Sequence, residues 1–129
     1  MQGGLARKQN MRFNALRDEA DSLPLPSTYA LVSRSTRGDL VLSDQVPTER
    51  RLYRVPNAGE TPAEFASALR RRGFAVRTSP DCSVSGEKDR VRVFVDFLSR
   101  PPAPGADRAS SCPTPSRRTI FASVDLTYE

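Results

Sequence analysis

Two stretches in the second half of the chain alternate between apolar and polar residues at almost every step, one over residues 89–98 and one over residues 117–128. Because the side chains of a β-strand point alternately to opposite faces, this period of two predicts two half-buried strands. Their apolar positions form one face, which consists of Val91, Val93, Val95, Phe97, Ile120, Ala122, Val124, Leu126 and Tyr128. A slip of one residue would turn that whole face toward water, so we expect a firmly fixed register.

The opposite face of the same two strands is polar and contains two aromatic rings. It consists of Arg90, Arg92, Phe94, Asp96, Thr119, Phe121, Ser123 and Asp125. The pattern therefore predicts a surface that faces water or a charged ligand, while the apolar face packs against another part of the protein.

Two helices are predicted ahead of these strands. Over residues 5–20, apolar residues recur at spacings of three to five until two prolines force an extended backbone. Over residues 61–72 the signals are stronger, because Thr61 and Pro62 are typical of a helix start and Gly73 is typical of the residue that follows a helix.

Shorter apolar runs predict the rest of the sheet. The predicted segments are a hairpin of residues 28–33 and 40–42 around a polar turn at 34–39, a strand at 50–55, a strand from 74–78 toward Val84, and a turn at 86–88. The connection over residues 99–116 is rich in proline, so we expect an exposed loop there.

Composition restricts the function. The chain of 129 residues has a net charge of +5, and eighteen of its twenty basic residues are Arg. Since the guanidinium group binds phosphate with two parallel hydrogen bonds and stacks on bases, this bias favours a polyanion partner. A genome that encodes Arg in place of Lys would give the same bias, and composition alone does not separate the two interpretations.

Residue types needed for most catalytic and metal sites are scarce. The chain has no His, and its two cysteines, Cys82 and Cys112, lie in sequence rich in Pro and Ser. We therefore expect no enzyme, no catalytic residue, no metal site and no cofactor. No apolar run reaches the roughly 20 residues of a membrane span, and residues 1–25 do not resemble a secretory signal, so we expect a cytoplasmic protein or an assembly formed there.

The order of the elements resembles that of the coat proteins of single-stranded RNA bacteriophages, the levivirus type. The residues that carry the resemblance are 38–42 after the first hairpin, 82–85 with 89–98 behind them, and the loop 101–115 entering 117–128. The elements and the resemblance together predict an α+β fold in which an antiparallel sheet of five to six strands extends across a dimer and one or two helices cover one face. The predicted organisation is one coat-protein-like domain over 1–129, with a helical arm over 1–25 and the sheet over 26–129.

The resemblance implies a structural capsid protein of a virion. Such a subunit dimerises, assembles into an icosahedral shell in the bacterial host cytoplasm, and binds genomic RNA, by a hairpin, on the inner face of the sheet. Its partners would be further copies of itself and single-stranded RNA, with no membrane and no small-molecule substrate.

Carried over by position, the resemblance also implies site residues. The residues expected to line the RNA face are Arg77, Arg90, Arg92, Thr119, Phe121 and Ser123. Phe94 or Phe121 would stack an unpaired base, with simple packing under a neighbouring chain as the alternative. Cys112 would be the cysteine of the long loop, and with Cys82 it is a candidate for a disulfide between subunits.

The chain also departs from the coat-protein pattern. We expect no C-terminal helices after Glu129, an additional helix at the N-terminal side, and a helix at 61–72 that interrupts the strands. An uncovered apolar face would promote aggregation. We therefore expect the helix at 5–20, the helix at 61–72, or both, to cover it, from the same or the paired subunit.

Two other functions compete with a shell protein. One is a small basic RNA-binding regulator or ribosome-associated module that forms no shell. The other is an enzyme that uses Asp96 and Asp125 as an acid and base pair, although on a surface rich in Arg these carboxylates are expected to form salt bridges.

Overall fold

The structure, a computed structural model, describes residues 3–37, 47–56, 61–101, 112–113 and 118–129. Within these residues the chain forms two helices and six strands. In chain order they are α1 (Gly3–Asp21), β1 (Ala30–Arg37), β2 (Thr48–Pro56), α2 (Thr61–Arg71), β3 (Ala75–Thr78), β4 (Val84–Lys88), β5 (Val91–Leu98) and β6 (Thr119–Tyr128).

The six strands form one antiparallel sheet in the order β1-β2-β6-β5-β4-β3. The last four strands follow one another as an antiparallel meander, and β6 then pairs with β2, so that Tyr53 lies opposite Ala122. The predicted α+β class is thereby confirmed, with a single antiparallel sheet and two helices.

Both helices pack on the same face of this sheet and form the core with it. The predicted apolar face of β5 and β6 is buried, apart from Tyr128, which is half-buried. Helix α1 contributes Leu16 and Ala20 to this core, and α2 contributes Phe65 and Leu69. Burial of each large aliphatic or aromatic side chain is worth about 1.5–3 kcal/mol. The cover that the apolar face requires is therefore supplied by both helices of the same chain.

The residues of α2 explain its position. Phe65 lies at the centre of an aromatic cluster, with ring centroids 5.4 Å from Tyr29 and 5.6 Å from Phe97. The Tyr29 hydroxyl donates a hydrogen bond to Glu64. Gly73 follows the helix with a φ of +90°, a conformation that glycine adopts at little cost. The bounds of α2, Thr61–Arg71, confirm the predicted helix at 61–72.

Ion pairs attach α1 to the sheet at two places. The guanidinium of Arg51 on β2 lies 2.7 Å from Asp21 and 2.8 Å from Glu49. At the other place, Lys88 at the end of β4 lies 2.6 Å from Glu19. Together with the burial of Leu16 and Ala20, these pairs restrict how the helix can rotate or slide on the sheet. The predicted helix at 5–20 is confirmed by α1.

The predicted turn at 86–88 is wrong. Those residues belong to β4, and the turn is made by Asp89 and Arg90, with Asp89 at a φ of +53°. The glycine that suggested a turn is needed for packing, since a Cβ atom on Gly86 would lie 3.2 Å from the Cβ atom of Phe74. Strand β5 accordingly begins at Val91 and not at residue 89.

The first hairpin also differs from the prediction. Strand β1 continues through residues 34–37, which the sequence predicts as a turn, and it pairs with β2 up to Arg37 opposite Thr48. The predicted strand at 40–42 and most of the predicted loop at 99–116 lie outside the described residues.

Candidate nucleic-acid interface

The strand register brings side chains from all six strands onto the face opposite the two helices, which we call the open face. Residues directly opposite each other in antiparallel strands point to the same side of a sheet. One such row crosses the whole sheet and consists of Ser35, Arg50, Asp125, Phe94, Ser85 and Arg77. The rows beside it contain Thr48, Thr127, Arg92 and Glu87 on one side, and Leu52, Ser123 and Asp96 on the other.

Five of the predicted site residues lie on the open face with accessible side chains. Arg77, Arg92 and Thr119 are exposed, Phe94 is 45 % exposed, and Phe121 is half-buried. The two aromatic rings lie on neighbouring strands, and the row of Asp96 and Ser123 separates the row of Phe94 from the row of Phe121. The predicted juxtaposition of basic and aromatic side chains therefore exists on this face.

Ser123 lies on the open face but is only 2 % exposed. Its neighbours across the strands are Leu52 and Asp96. A side chain so deeply enclosed does not offer its hydroxyl to a macromolecular ligand, so Ser123 is a structural residue of the sheet centre and not a contact residue.

Arg90 does not lie on the open face. It is part of the turn between β4 and β5, and it borders a hollow of about 320 Å³ with Met11, Arg12, Ala15 and Tyr128 on the helix side of the sheet. The guanidinium of Arg12 lies 5.7 Å from the centroid of the Tyr128 ring. The placement of Arg90 among the face residues followed from starting β5 two residues too early, and it is wrong.

Carboxylates accompany two of the arginines on the open face. Arg50 binds Asp125 with two hydrogen bonds, of 2.8 Å from Nε and 3.1 Å from Nη2. Arg92 lies 3.4 Å from Glu87 and 3.1 Å from Glu129. Since these charges are already compensated, Arg50 and Arg92 add less to the attraction of a polyanion than the sequence suggests.

Arg54 and Arg77 differ from this pair. Both are exposed, and neither forms an ion pair with another residue in the part of the chain that the structure describes. Arg54 lies directly opposite Phe121 on β6, and Arg118 immediately precedes that strand. The positive charge of the open face is therefore concentrated around Arg54 and at Arg77.

A shallow recess of about 460 Å³ surrounds the exposed Phe94 ring. Its walls are Ser85, Gly86, Glu87, Arg92, Val93, Asp125, Thr127 and Glu129. The recess thus combines an aromatic surface with three carboxylates, two hydroxyls and one guanidinium group, which is a suitable set for a planar ligand that donates hydrogen bonds at its edge.

One carboxylate of the acid and base pair considered for an enzyme is held in a salt bridge. Asp125 is bound by the guanidinium of Arg50, and the salt bridge expected for it is present. No group of three or more Cys, Asp and Glu side chains that could hold a metal ion occurs among the described residues.

The two cysteines form one disulfide within the chain. Cys82 and Cys112 are bonded, with Cα atoms 5.0 Å apart and a sequence separation of 30. Cys82 lies in the turn between β3 and β4 with a φ of +66°. Both sulfur atoms are used in this bond, so a disulfide between subunits would require it to be exchanged.

The carboxylate of Asp81, one residue before Cys82, has a lowered pKa. The Ser83 hydroxyl and backbone N–H donate hydrogen bonds of 2.7 and 3.1 Å to Asp81. Because these bonds favour the charged carboxylate, they lower the pKa of Asp81. The turn that carries Cys82 is therefore held by its own polar residues as well as by the disulfide.

Several residues of the open face and its recess are absent from the predicted site. They are Arg50, Arg54, Glu87 and Glu129. The alternation in β2 predicts that Arg54 points to the opposite face of the strand from Tyr53 and Val55. The sequence pattern therefore contains a signal for the exposure of Arg54. It contained no signal for the pairing of β2 with β6, which brings Arg50 to Asp125.

Neither described helix is long and apolar enough to cross a membrane. Comparisons with protein-family models, with curated proteins and with solved structures found no match to the chain.

Proposed function

We propose that this chain is a structural RNA-binding protein, the coat protein of a phage of the single-stranded RNA type. In this proposal it forms a dimer, assembles into an icosahedral shell, and holds genomic RNA against the open face. The observation that carries the proposal is the division of one sheet into a face covered by α1 and α2 and an open face with exposed Arg and Phe side chains.

The chemistry of the open face supports single-stranded RNA as the ligand. Arg54 and Arg77 are exposed cations that can neutralise phosphates, and Phe94 and Phe121 are rings on which unpaired bases can stack. Thr119 adds an exposed hydroxyl. Binding would require no catalytic group, cofactor, membrane or small-molecule substrate.

The sheet edges support self-association. Among the described strands, β1 and β3 are the two at the edges of the sheet, and β1 exposes Leu31 and Val32, at 46 % and 51 %. Edge strands offer backbone N–H and C=O groups to a second sheet, and pairing across a two-fold axis extends both. We assign the dimer contact to β1, because it has eight residues and β3 has four.

The disulfide is compatible with a virion assembled in a bacterial cytoplasm. Disulfides are rare in reducing cytoplasm and persist in oxidising surroundings, which include virion surfaces. In the proposal, the bond between Cys82 and Cys112 forms after the particle leaves the cell, and assembly itself does not depend on it.

A second function is favoured by one observation. Because α1 and α2 cover their own sheet, a single chain already buries its core, with Leu16, Phe65 and Leu126 fully enclosed. A small basic RNA-binding regulator or ribosome-associated module that works without a shell needs no more than this. It would use the same open face.

Expression of the chain in bacteria separates the two functions. We expect particles in negative-stain micrographs and in light scattering, with RNA in the extracted nucleic acid and an absorbance ratio typical of nucleoprotein. A monomer or dimer that binds RNA at low salt would support the regulator instead. A small species that binds no RNA at low salt would refute both.

A further inference from the structure

We infer that the recess around Phe94 is a binding subsite for a guanine base of single-stranded RNA. The inference rests on the proposed function, since it names the base that the open face would select. The strand register brings an aromatic ring, carboxylates and a guanidinium group together in this recess.

The ring provides a platform for a planar ligand. Phe94 is the only Phe side chain among the large hydrophobic residues exposed in the described part of the chain, at 45 %. Its cross-strand neighbours are Ser85 on β4 and Asp125 on β6, and both are polar. An apolar ring surrounded by polar groups has little to pack against in the free protein, whereas a base can cover it.

Hydrogen-bond acceptors surround this ring. Glu87, Asp125 and Glu129 all line the recess, and the first and last have side chains that are half exposed or more. Each carboxylate accepts several hydrogen bonds, so the contacts with Arg92 at 3.4 and 3.1 Å leave lone pairs for a ligand. The three carboxylates outnumber the two guanidinium groups of Arg92 and Arg50 that contact them. The resulting negative charge disfavours a phosphate group in the recess.

The acceptors match one base better than the others. The Watson–Crick edge of guanine has two adjacent donor groups, at N1 and N2, which a carboxylate can bind together. Adenine and cytosine offer one amino group beside an acceptor nitrogen, and uracil offers one N–H between two carbonyls. A recess lined by carboxylates therefore favours guanine, and repels the acceptors of the other three bases.

The guanidinium group adds to this preference. Guanine presents two acceptors, O6 and N7, on its other edge, and a guanidinium group binds them together. Arg92 stands between Glu87 and Glu129 on the wall of the recess, so one base could meet both kinds of group. The phosphate of the same nucleotide would lie toward Arg77, which shares a row with Ser85 and Phe94 and is exposed.

RNA heptamers test the inference directly. Each heptamer consists of uridines with one test base at its centre. The test bases are guanine, inosine and adenine, and the readout is fluorescence anisotropy of labelled RNA at low salt. Inosine lacks only the N2 amino group, so it isolates one hydrogen bond to a carboxylate. We expect guanine to bind about five- to tenfold more tightly than inosine, and more tightly than adenine.

Variants locate the preference. Phe94→Ala should reduce the affinity for the guanine heptamer by about tenfold, because it removes the stacking surface. Glu129→Gln and Glu87→Gln should reduce the ratio between guanine and inosine while keeping the ring. Phe121→Ala, which removes the other stacking ring of the open face, should weaken the binding of all three heptamers to a similar extent and retain the full ratio between guanine and inosine.

The outcomes distinguish the inference from the proposed function. Equal binding of the three heptamers, or a guanine preference that survives Phe94→Ala and both Glu→Gln changes, overturns the guanine subsite and leaves RNA binding intact. No binding of any heptamer at low salt overturns both. Preferential binding of an arginine-rich peptide, lost in Glu129→Gln, would assign the recess to a protein partner and also overturn the inference. Circular dichroism of each variant verifies the fold.

Discussion

Glu49 and Arg51 are charged residues on the apolar face of β2, and only 1 % and 4 % of their surfaces are exposed. Their burial is tolerated because the two side chains form an ion pair with hydrogen bonds between them. Arg51 donates from Nε and Nη2 to Glu49, and it also reaches Asp21 of α1. Burial acts to lower the pKa of Arg51, but the hydrogen bonds to Asp21 and Glu49 more than offset it, so the net shift is upward and the residue stays charged.

Removal of one partner from this buried pair should be costly. Glu49→Ala leaves the buried guanidinium of Arg51 with Asp21 as its remaining carboxylate partner, so the free energy of unfolding should fall by about 3 kcal/mol. Urea denaturation followed by circular dichroism measures this change.

The double variant Glu49→Leu with Arg51→Met should lose less stability than Glu49→Ala, since neither charge remains. Arg92→Ala, in an exposed pair, is the control and should change stability by no more than about 0.5 kcal/mol. A larger loss in the double variant would contradict this account.

Tyr29 gives the stability a dependence on alkaline pH. Partial burial of the phenol, with the hydrogen bond to Glu64 and the negative charge of that residue, raises the pKa of Tyr29 above its usual value. Above pH 10 the unfolded chain loses this proton while the folded chain keeps it. The unfolded state then binds fewer protons, so stability is fully present below pH 10 and decreases above it.

Denaturation midpoints in urea at intervals from pH 8 to pH 11 should show this effect. We expect the wild type to lose stability between pH 10 and pH 11, and Tyr29→Phe to lose less, because the variant has no phenol at that position to titrate. Identical pH profiles of the two proteins would show that the contact between Tyr29 and Glu64 does not hold the proton.

Among the elements, those with local signals are the ones that the sequence predicts. The period of two in β5 and β6 and the helix start at Thr61 depend on near neighbours, and the structure confirms them. The turn after β4 was misplaced because glycine permits both a turn and a close contact, and Gly86 makes the contact with Phe74. Strand β1 was cut short because an edge strand exposes polar residues on both faces, which resembles a loop in sequence.

The disulfide connects the β3–β4 turn to the connection that precedes β6, and this is a constraint between elements. Because Cys82 and Cys112 are separated by 30 positions in sequence, the closed loop restricts the unfolded chain enough to stabilise the fold by about 3–4 kcal/mol. We expect reduction with a phosphine to lower the free energy of unfolding by that amount.

The double variant Cys82→Ser with Cys112→Ser serves as the control for reduction. It should match the reduced wild type in stability, and the phosphine should not affect it. If reduction left the urea midpoint of the wild type unchanged, the disulfide would contribute nothing to the fold. In that case Cys82 and Cys112 would be better explained by exchange between subunits.

At the scale of the whole molecule, the sequence reveals the amount of charge but not where it is compensated. Sheet order decides that, because β2 pairs with β6 although more than sixty residues separate them along the chain. This pairing brings Arg50 to Asp125, and the neighbouring pairs bring Arg92 to Glu87. An alternating pattern assigns a residue to a face, but it does not identify the strand beside it. The open face was therefore predictable, and its division into compensated and uncompensated arginines was not.

This division predicts how RNA affinity responds to salt. An uncompensated arginine that neutralises one phosphate of a single strand contributes about 0.7 to the slope of log K against log salt. Arg54→Ala should therefore reduce the slope measured with oligouridine by about that amount. Arg92→Ala should change the slope less, because Glu87 and Glu129 already balance the charge of Arg92 in the free protein. Oligouridine contains no guanine, so the slope reports phosphate contacts alone. A slope that Arg92→Ala lowers as much as Arg54→Ala would mean that RNA displaces the carboxylates from Arg92 and that the charge distribution of the free protein does not direct binding.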